Sequence, residues 1–312
     1  MRAVVTGGAG FIGSHLVDRL LANGDDVVVL DSLAAGTPEN LAHHRENPRL
    51  KVVRFDVTDG EFEPHLEGAE VVFHLAAFAD LRESLKDRTA DVRVNVLGGL
   101  RLLEAMERAR VPDLVYASTS SLYGEATLTP TPESYAPTQT SLYGASKLAL
   151  EAFAEAYTSL ADLHLWTYRF SNVIGERCRR GVVWDFVRKL ARDPHHLEIL
   201  GNGQQSKEFL HVSDCVRGML IGYRGVRDRV NRFNLAVDVN LTPVDVARIV
   251  TDELGLADVR TTFTGGRGGW IGDNSVVRLD TRRIRALGWT PAVSSEDAVR
   301  EMVRWIVRQR LA

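Results

Sequence analysis

A tyrosine and a lysine four residues apart could form a proton-transfer pair. Tyr143 and Lys147 bound the stretch Tyr143-Gly144-Ala145-Ser146-Lys147, where a loop rich in Pro and Thr gives way to a helical run. Residues at i and i+4 share one helix face, so both side chains can enter the same pocket. A nearby ammonium favours the phenolate and lowers the pKa of a tyrosine from about 10, which would make the pair a base toward an alcohol. The alternative is an ordinary helix start with a solvated lysine, because this spacing is common by chance.

Three glycines stand between a strand pattern and a helix pattern. Gly7, Gly10 and Gly13 follow the apolar run at residues 3–6, and the next apolar strand ends at Asp31. Bare backbone at a helix N-terminus accepts a pyrophosphate, and an acid at the end of the next strand binds ribose hydroxyls. The spacing is G-x-x-G-x-x-G, so the strand, the helix and Asp31 add most of the specificity. Because Asp31 would repel a 2′-phosphate, the sequence favours NAD over NADP.

Polar or small residues follow three further strand patterns. Asp56 follows residues 50–55, Ala76 and Ala77 follow residues 71–75, and four hydroxyl residues, Ser118-Thr119-Ser120-Ser121, follow residues 114–117. Ligands gather at the carboxyl ends of strands in open α/β sheets. Asp56 could contact a ligand or cap the segment after Thr58, and the hydroxyls could do chemistry or simply favour a turn.

Composition excludes several classes of protein. The chain has 312 residues, 45% hydrophobic and 25% charged, as is typical of soluble globular proteins. A net charge of -3 argues against a general nucleic-acid binder. Cys178 and Cys215 cannot make a disulfide framework, which favours the cytoplasm. No apolar run is long enough to cross a membrane, and because the first strand begins at Arg2 we expect no targeting segment.

Two pairs of adjacent histidines, His43-His44 and His195-His196, lie in polar stretches. Neighbouring side chains are expected to diverge, and no H-E-x-x-H motif is present. We therefore predict that these histidines are solvated loop residues and that the chain holds no metal.

Alternating strand and helix patterns predict an α/β fold with a mostly parallel, doubly wound sheet. A long helix is predicted from about Asp91 to Arg108. From Ser171 the pattern changes to short, isolated strands, predicted at residues 197–200, 231–236, 259–263 and 276–279. Thr242 and Pro243 mark a helix start within this later part. We therefore expect a second, smaller domain whose boundary lies near Ser171.

Taken together, these motifs resemble the extended short-chain dehydrogenase/reductases that act on nucleotide sugars, and within them the UDP-glucose 4-epimerase branch. The segments that match in order and spacing are residues 6–15, 31–36, 74–77, 118–124, 143–147, 169–175 and 209–214. The resemblance implies a Rossmann-type NAD-binding domain of residues 1–171 plus about 209–238. It implies a smaller mixed α/β domain of residues 172–208 and 239–312 that binds the nucleotide sugar.

The resemblance also implies residue roles. Tyr143 would be the acid/base, Lys147 would hold the nicotinamide ribose and lower the tyrosine pKa, and Thr119 would bond the reacting sugar hydroxyl. The residues implied to contact NAD are Gly7, Gly10, Phe11, Ile12, Gly13, Asp31, Ser32, Asp56, Val57, Leu75, Ala76, Ala77, Asn95, Ser118, Tyr143, Lys147 and Phe170. The residues implied to contact the substrate are Thr119, Tyr143, Asn172, Lys207 and Arg267. Helices near residues 91–108 and 141–159 would form a homodimer interface as a four-helix bundle.

Three departures from the branch affect the substrate side. Ser171 stands where a bulky aromatic residue is often found, and Lys207-Glu208 stands where Arg-Asp is usual. Lysine lacks the bidentate fork of arginine, so its contact with a phosphate would differ. A diphosphate-binding arginine is expected shortly before Gly-Asp in the last third of the chain, whereas here Trp270 stands close to that position. Arg267, three residues earlier, is the candidate, and its alternative is a solvated loop residue.

The sequence therefore predicts an NAD-dependent enzyme that epimerises a sugar of the UDP-glucose/UDP-galactose type at carbon 4 through a 4-keto intermediate. The nucleotide base stays open among UDP, dTDP and GDP. Alternatives are a 4-epimerase of UDP-glucuronate or UDP-N-acetylglucosamine, a nucleotide-sugar dehydratase, or a non-catalytic NAD-binding regulator. Family dehydratases carry Asp-Glu directly after the threonine and the decarboxylases keep the Glu, whereas this chain has Ser120 and Ser121.

Overall fold

The structure, a computed structural model, describes residues 1–79, 81–266, 269, 274 and 276–309. The chain divides into two compact units. The first comprises Met1–Leu122, Leu142–Arg169 and Val216–Phe233, and the second comprises Tyr123–Ser141, Phe170–Cys215 and Asn234–Ala312. The predicted assignment of NAD to residues 1–171 plus about 209–238, and of the sugar nucleotide to residues 172–208 and 239–312, stays a prediction.

Strands and helices alternate through most of the chain. The strands are β1 (Arg2–Thr6), β2 (Asp26–Asp31), β3 (Leu50–Arg54), β4 (Val71–His74), β5 (Asp113–Thr119), β6 (His164–Phe170), β7 (Asn172–Ile174), β8 (His196–Ile199), β9 (Lys207–His211), β10 (Val230–Leu235), β11 (Asn240–Leu241) and β12 (Arg260–Phe263). The α-helices are α1 (Phe11–Ala22), α2 (Glu63–Leu66), α3 (Leu81–Lys86), α4 (Gly98–Ala109), α5 (Leu142–Leu160), α6 (Val182–Arg192), α7 (Val212–Gly225), α8 (Pro243–Leu254), α9 (Arg282–Arg285) and α10 (Ser295–Arg308). Pro38–His44 and Ser120–Tyr123 are 3-10 helices, and Val92–Leu97 is a π-helix.

A seven-stranded sheet forms the centre of the first unit, in the order β3-β2-β1-β4-β5-β6-β10. The pairs from β3 through β5 are parallel. The strand order reverses between β1 and β4, and ligands of open α/β sheets bind at such a switch point. This arrangement confirms the predicted doubly wound fold.

The second unit contains two small sheets, with strand orders β11-β9-β7 and β12-β8. In the first of these, β9 pairs antiparallel with β11 and parallel with β7, so the sheet is mixed. Together with its helices, this unit has the mixed α/β composition that the sequence predicted. Thr242 caps α8 with a capping box, as the sequence indicated. Among the helices that the structure describes, none is long and apolar enough to cross a membrane.

Helices α4 and α5 of the first unit pack closely together over the sheet. A Cβ atom at Gly99 on α4 would lie 2.3 Å from Cδ2 of Leu150 on α5. Leu150 and Leu102 belong to the same buried cluster, together with Val4 and Val28 of the sheet. The absence of a side chain at Gly99 therefore sets the distance between α4 and α5 over the sheet.

Two predicted elements differ in the structure. The helix predicted from about Asp91 to Arg108 is a π-helix followed by α4, and the wider turn directs Asn95 inward with 1% exposure. The strand predicted at residues 276–279 is replaced by isolated pairs, Ser206 with Val276 and Thr131 with Leu279. The two partners come from separate segments, so no continuous ladder forms.

Candidate functional site

The glycine loop after β1 is shaped by close backbone contacts. Gly7 has a φ of 70°, and a Cβ there would lie 2.7 Å from the amide nitrogen of Ala76, which follows β4. A Cβ at Gly13 would lie 2.1 Å from the carbonyl oxygen of Gly7. These two positions exclude any side chain, so the loop runs tightly across the switch point.

The N-terminus of α1 follows this loop and is open to an anion. Gly10 is its N-cap residue and supplies no side-chain cap to the first-turn N–H groups, and the first turn carries no acid. Phe11 and Ile12, in this turn, are half-buried. Unpaired N–H groups and the helix dipole together favour a phosphate, so the residues present fit the diphosphate of a dinucleotide.

Asp31 ends β2 beside this loop. Its Oδ2 accepts a hydrogen bond from Ala9 N at 2.9 Å, and its Oδ1 accepts one from Leu33 N at 2.8 Å. The side chain is 6% exposed, and Ser32 beside it is half-buried. Each carboxylate oxygen has a second lone pair, so Asp31 can organise the loop and still accept from a ribose hydroxyl.

The structure excludes one of the two alternatives for Asp56, the helix cap, and its predicted contact with NAD stays a prediction. Its Oδ1 accepts from both N and Oγ1 of Thr58, at 2.9 and 2.8 Å, so it stabilises a turn. It is not a helix cap, because α2 begins five residues after Thr58, at Glu63. Asp56 is exposed, whereas Val57 is buried in the core, where it faces Gly98.

The end of β4 is joined to β1 through a buried hydroxyl. Thr6 Oγ1 lies 2.7 Å from His74 Nδ1 and accepts from Ala76 N at 3.2 Å. Leu75 and Ala77 are half-buried on either side of Ala76. Burial, with a smaller contribution from the charge of Lys147, lowers the pKa of His74 to about 3. The His74 ring is therefore neutral and acts as a fixed hydrogen-bonding partner.

Tyr143 and Lys147 lie in the first two turns of α5, as predicted. Lys147 is 2% exposed, and its Nζ lies 4.3 Å from the centre of the Tyr116 ring. Burial lowers the pKa of Lys147 to about 7, against an opposing effect of Glu151. Near neutral pH this lysine therefore exists in both charged and neutral forms.

Glu151, which no sequence motif indicated, continues the same helix face one turn beyond Lys147. It is 3% exposed and bonds Arg169 Nη2 through Oε2 at 2.7 Å. Ser118, at the end of β5, donates a short hydrogen bond to the other carboxylate oxygen of Glu151, Oε1. The row Tyr143, Lys147, Glu151 therefore joins the predicted base to a buried ion pair. The i+4 spacing was visible in the sequence, but the pairing with Arg169 was not.

Thr119 is the last residue of β5 and is 8% exposed. Its Oγ1 accepts from the backbone N of Ser121 at 3.1 Å, which fixes the start of the 3-10 helix at Ser120. The bond from Ser118 to Glu151 ties this strand end to α5. The first unit therefore places Thr119 and the Tyr143 helix on connected elements.

Both the oxygen and the nitrogen of the Asn95 side-chain amide form hydrogen bonds within the protein. Its oxygen accepts from Phe78 N at 2.7 Å, and its nitrogen donates to Phe78 O and to Ser146 Oγ, both at 2.9 Å. Asn95 therefore fixes the loop after β4 to Ser146, near the start of α5. Its predicted contact with NAD stays a prediction.

The remaining predicted residues belong to the second unit. Phe170 is buried, Asn172 begins β7, and Lys207 begins β9 and donates through Nζ to the backbone oxygen of Asn274. Asn172 donates to the backbone oxygen of Glu208 at 3.4 Å. Arg267 lies outside the described residues.

The side chains of His43 and His44 were expected to diverge, but they converge on one residue. The Nε2 atoms of both lie 2.9 Å from Oδ1 of Asp18 on α1. The prediction about the direction of these side chains is therefore wrong, because the 3-10 helix of Pro38–His44 turns both rings toward α1.

The chain is similar to known proteins over almost its whole length. Residues 3–236 match the model of the NAD dependent epimerase/dehydratase family. A UDP-glucose 4-epimerase of Mycolicibacterium smegmatis is 34% identical over 98% of this chain and 98% of its own. A dTDP-glucose 4,6-dehydratase of Streptomyces griseus is also 34% identical, over 98% of this chain and 94% of its own. A UDP-glucuronic acid 4-epimerase structure from Bacillus cereus is 27% identical with a TM-score of 0.92, covering 99% of this chain and 100% of its own. Equal identity to an epimerase and a dehydratase leaves the choice of reaction to the site residues.

Proposed function

The chain belongs to the NAD dependent epimerase/dehydratase family, and from this premise we propose that it is a nucleotide-sugar 4-epimerase of the UDP-glucose/UDP-galactose type. Its cofactor is NAD, which when bound supplies reversible hydride exchange at carbon 4 of the sugar. The observation that carries the proposal is the pair Ser120 and Ser121, directly after Thr119.

Elimination or decarboxylation of a 4-keto sugar needs a further acid or base near the sugar, usually a tuned carboxyl group. At Ser120 and Ser121, where the resemblance places the carboxyls of dehydratases, this chain has hydroxyls. Glu151 is held by Ser118 and Arg169 and is 3% exposed, so it is not available to the sugar. The keto sugar is then left with reduction on its opposite face, which yields the 4-epimer.

In this proposal Tyr143 takes the proton of the 4-hydroxyl and later returns it, while Thr119 holds the sugar by a hydrogen bond. Lys147 supplies positive charge that favours the tyrosine phenolate. Glu151 supports this role because it raises the pKa of Lys147 against the effect of burial. The network behind the helix thus keeps part of Lys147 in the ammonium form at neutral pH.

The glycine loop and the first turn of α1 would hold the NAD diphosphate, and Asp31 would accept from the adenosine ribose. The absence of a capping side chain at Gly10 and the two oxygens of Asp31 beside Ala9 and Leu33 support these roles. On the second unit, Asn172 and Lys207 are proposed to contact the sugar nucleotide, as is Arg267.

We also propose a homodimer. Four large apolar side chains of the first unit are 44–51% exposed near the π-helix and α5: Leu85, Val92, Leu97 and Phe153. Exposed apolar side chains grouped on neighbouring elements are typical of an interaction surface. The cytoplasm is the proposed location, since Cys178 and Cys215 are buried and free of disulfides.

The proposal is tested by incubating the purified protein and NAD with UDP-glucose, UDP-galactose, UDP-glucuronate, UDP-N-acetylglucosamine and dTDP-glucose. Products are separated by chromatography and weighed by mass spectrometry. We expect a 4-epimer of unchanged mass from UDP-glucose, and loss of that product in the matched variant Tyr143→Phe. A product lighter by water or carbon dioxide would overturn the proposal in favour of a dehydratase or decarboxylase. Saturable NAD binding without any product would favour a non-catalytic regulator.

A second candidate, 4-epimerisation of UDP-glucuronate, is favoured by Ser171. This residue is 7% exposed, and within the described residues its Oγ is buried without a hydrogen-bond partner. The UDP-glucose 4-epimerase branch often has a bulky aromatic residue at this position. The smaller Ser171 leaves room for a larger sugar substituent and offers it a polar group. Turnover of UDP-glucuronate faster than UDP-glucose in the same panel would establish this candidate.

A further inference from the structure

We propose that Asp18, His43 and His44 form a binding site for a divalent transition-metal ion of the Zn²⁺ type. His43 and His44 end the 3-10 helix of Pro38–His44, and Asp18 lies in the third turn of α1. None of the three belongs to the residues proposed for cofactor, substrate or proton transfer, so the site is independent of the proposed activity.

The ligand atoms are already gathered. Each Nε2 lies 2.9 Å from Oδ1 of Asp18, and all three atoms lie within 4.8 Å of one another. Zinc bonds to imidazole nitrogen at about 2.0–2.1 Å and to carboxylate oxygen at about 2.0–2.2 Å, so two ligands on a tetrahedral ion are roughly 3.4 Å apart. Moving each nitrogen away from the oxygen by about half an ångström therefore makes room for the ion.

The arrangement of the two rings is unusual for neighbours in sequence. Successive side chains of a 3-10 helix are about 120° apart, which normally separates them. Here the ring centres of His43 and His44 are 4.1 Å apart, and both side chains converge on one oxygen. Two imidazole nitrogens and a carboxylate oxygen are thus brought together, as the ligands of a metal ion would be.

The chemistry of the three donors selects the kind of ion. Two imidazoles and one carboxylate suit Zn²⁺, Co²⁺, Ni²⁺ or Cu²⁺, whereas Mg²⁺ and Ca²⁺ prefer oxygen ligands throughout. The side chains of His43, His44 and Asp18 are 49%, 20% and 28% exposed, so an ion can enter and water can complete its coordination.

The segment that carries the histidines is fixed at its other end. Thr37 N and Asn40 Nδ2 both donate to Ala9 O, at 3.1 and 2.9 Å. Ala9 lies in the glycine loop that precedes α1. Because the segment and α1 are already joined through Ala9, binding an ion between His43, His44 and Asp18 orders little additional chain. The ion would add a second link between the segment and the helix.

The test uses the full chain, without an affinity tag and stripped of metal with a chelator. Calorimetric titration with ZnCl₂ should show one site, and Co²⁺ should give the visible absorption bands of a tetrahedral ion. The double variant H43A/H44A should bind Zn²⁺ at least about 100-fold more weakly, since even residues that only support a metal ligand change affinity by 10- to 100-fold. The matched control is His195→Ala, which removes an exposed imidazole from the other histidine pair and should bind like the wild type.

A second measurement separates a metal site from a purely structural cluster. Saturating Zn²⁺ should raise the unfolding temperature of the wild type and of H195A by a few degrees, and leave that of H43A/H44A unchanged. Asp18→Asn should weaken Zn²⁺ binding about tenfold or more with an unchanged circular dichroism spectrum, so the result does not depend on the double variant folding. No saturable binding to the wild type, or equal affinity in D18N and the wild type, overturns the proposal.

Discussion

The substitution Glu151→Gln tests the buried network behind the proposed base. Glu151 and Arg169 are 3% and 4% exposed, and Arg169 contributes Nε at 3.2 Å and Nη2 at 2.7 Å. The substituted amide would still accept a hydrogen bond from Ser118, but it would leave the guanidinium without an opposite charge. Breaking a buried pair by removing one partner costs about 3–5 kcal/mol.

This cost is a large share of the free energy of unfolding, which for a typical domain is about 5–15 kcal/mol. Removing the Glu151 carboxylate also affects Lys147. Burial lowers the pKa of Lys147 to about 7, and Glu151 opposes this shift. Without the carboxylate, the pKa of Lys147 falls further, so a smaller part of it is ammonium at neutral pH. Turnover at neutral pH should therefore fall in the folded variant as well.

The assay is urea unfolding at neutral pH, followed by circular dichroism and tryptophan fluorescence. Glu155→Gln is the matched control, one turn further along α5, because its partner Arg232 is 30% exposed and such surface pairs contribute less than about 1 kcal/mol. The double variant E151Q/R169M removes both charges and should recover most of the stability lost in E151Q. The reasoning is refuted if E151Q is no less stable than E155Q, or if the double variant is as unstable as E151Q.

Three further predictions concern single residues. Tyr143→Phe should lower turnover about 100- to 10,000-fold and leave NAD affinity nearly unchanged, measured by steady-state kinetics and calorimetry; near-normal turnover would exclude Tyr143 as the base. The wild type should bind NAD more tightly than NADP because Asp31, in its proposed role, would face the extra phosphate; equal affinities would show that Asp31 does not contact the adenosine ribose. Burial raises the pKa of Glu208 from 4.5 to about 8, so the native state holds a proton that the unfolded state releases over this range. The free energy of unfolding should therefore fall as pH rises from about 5 to 8, and Glu208→Gln should flatten that dependence; parallel curves for the two proteins would contradict the assignment.

The sequence predicted those features that depend on local patterns. The glycine loop, Asp31 at the end of β2 and Tyr143 with Lys147 at the start of α5 all follow from short spacings and apolar periodicity. The mostly parallel, doubly wound sheet follows from strand and helix alternation, which restricts the possible connections.

The features that the sequence did not predict depend on partners that are distant in the chain. Arg169 reaches Glu151 from β6, and Asn95 faces inward because a π-helix replaces a regular turn. The convergence of His43 and His44 depends on how their segment lies against Asp18. No local preference specifies such contacts, since each is fixed only when separate elements pack together.

The close packing at Gly99 limits which substitutions the molecule can tolerate. Leu150 is 1% exposed and packed in the buried cluster, and a Cβ at Gly98 would lie 2.8 Å from Cγ2 of Val57. By contrast, Phe153 on α5 is 44% exposed, and Leu97, the last residue of the π-helix before α4, is 51% exposed. A mutational library over α4 and α5 is therefore expected to retain diversity at exposed positions such as Phe153 and to lose it at Gly98 and Gly99.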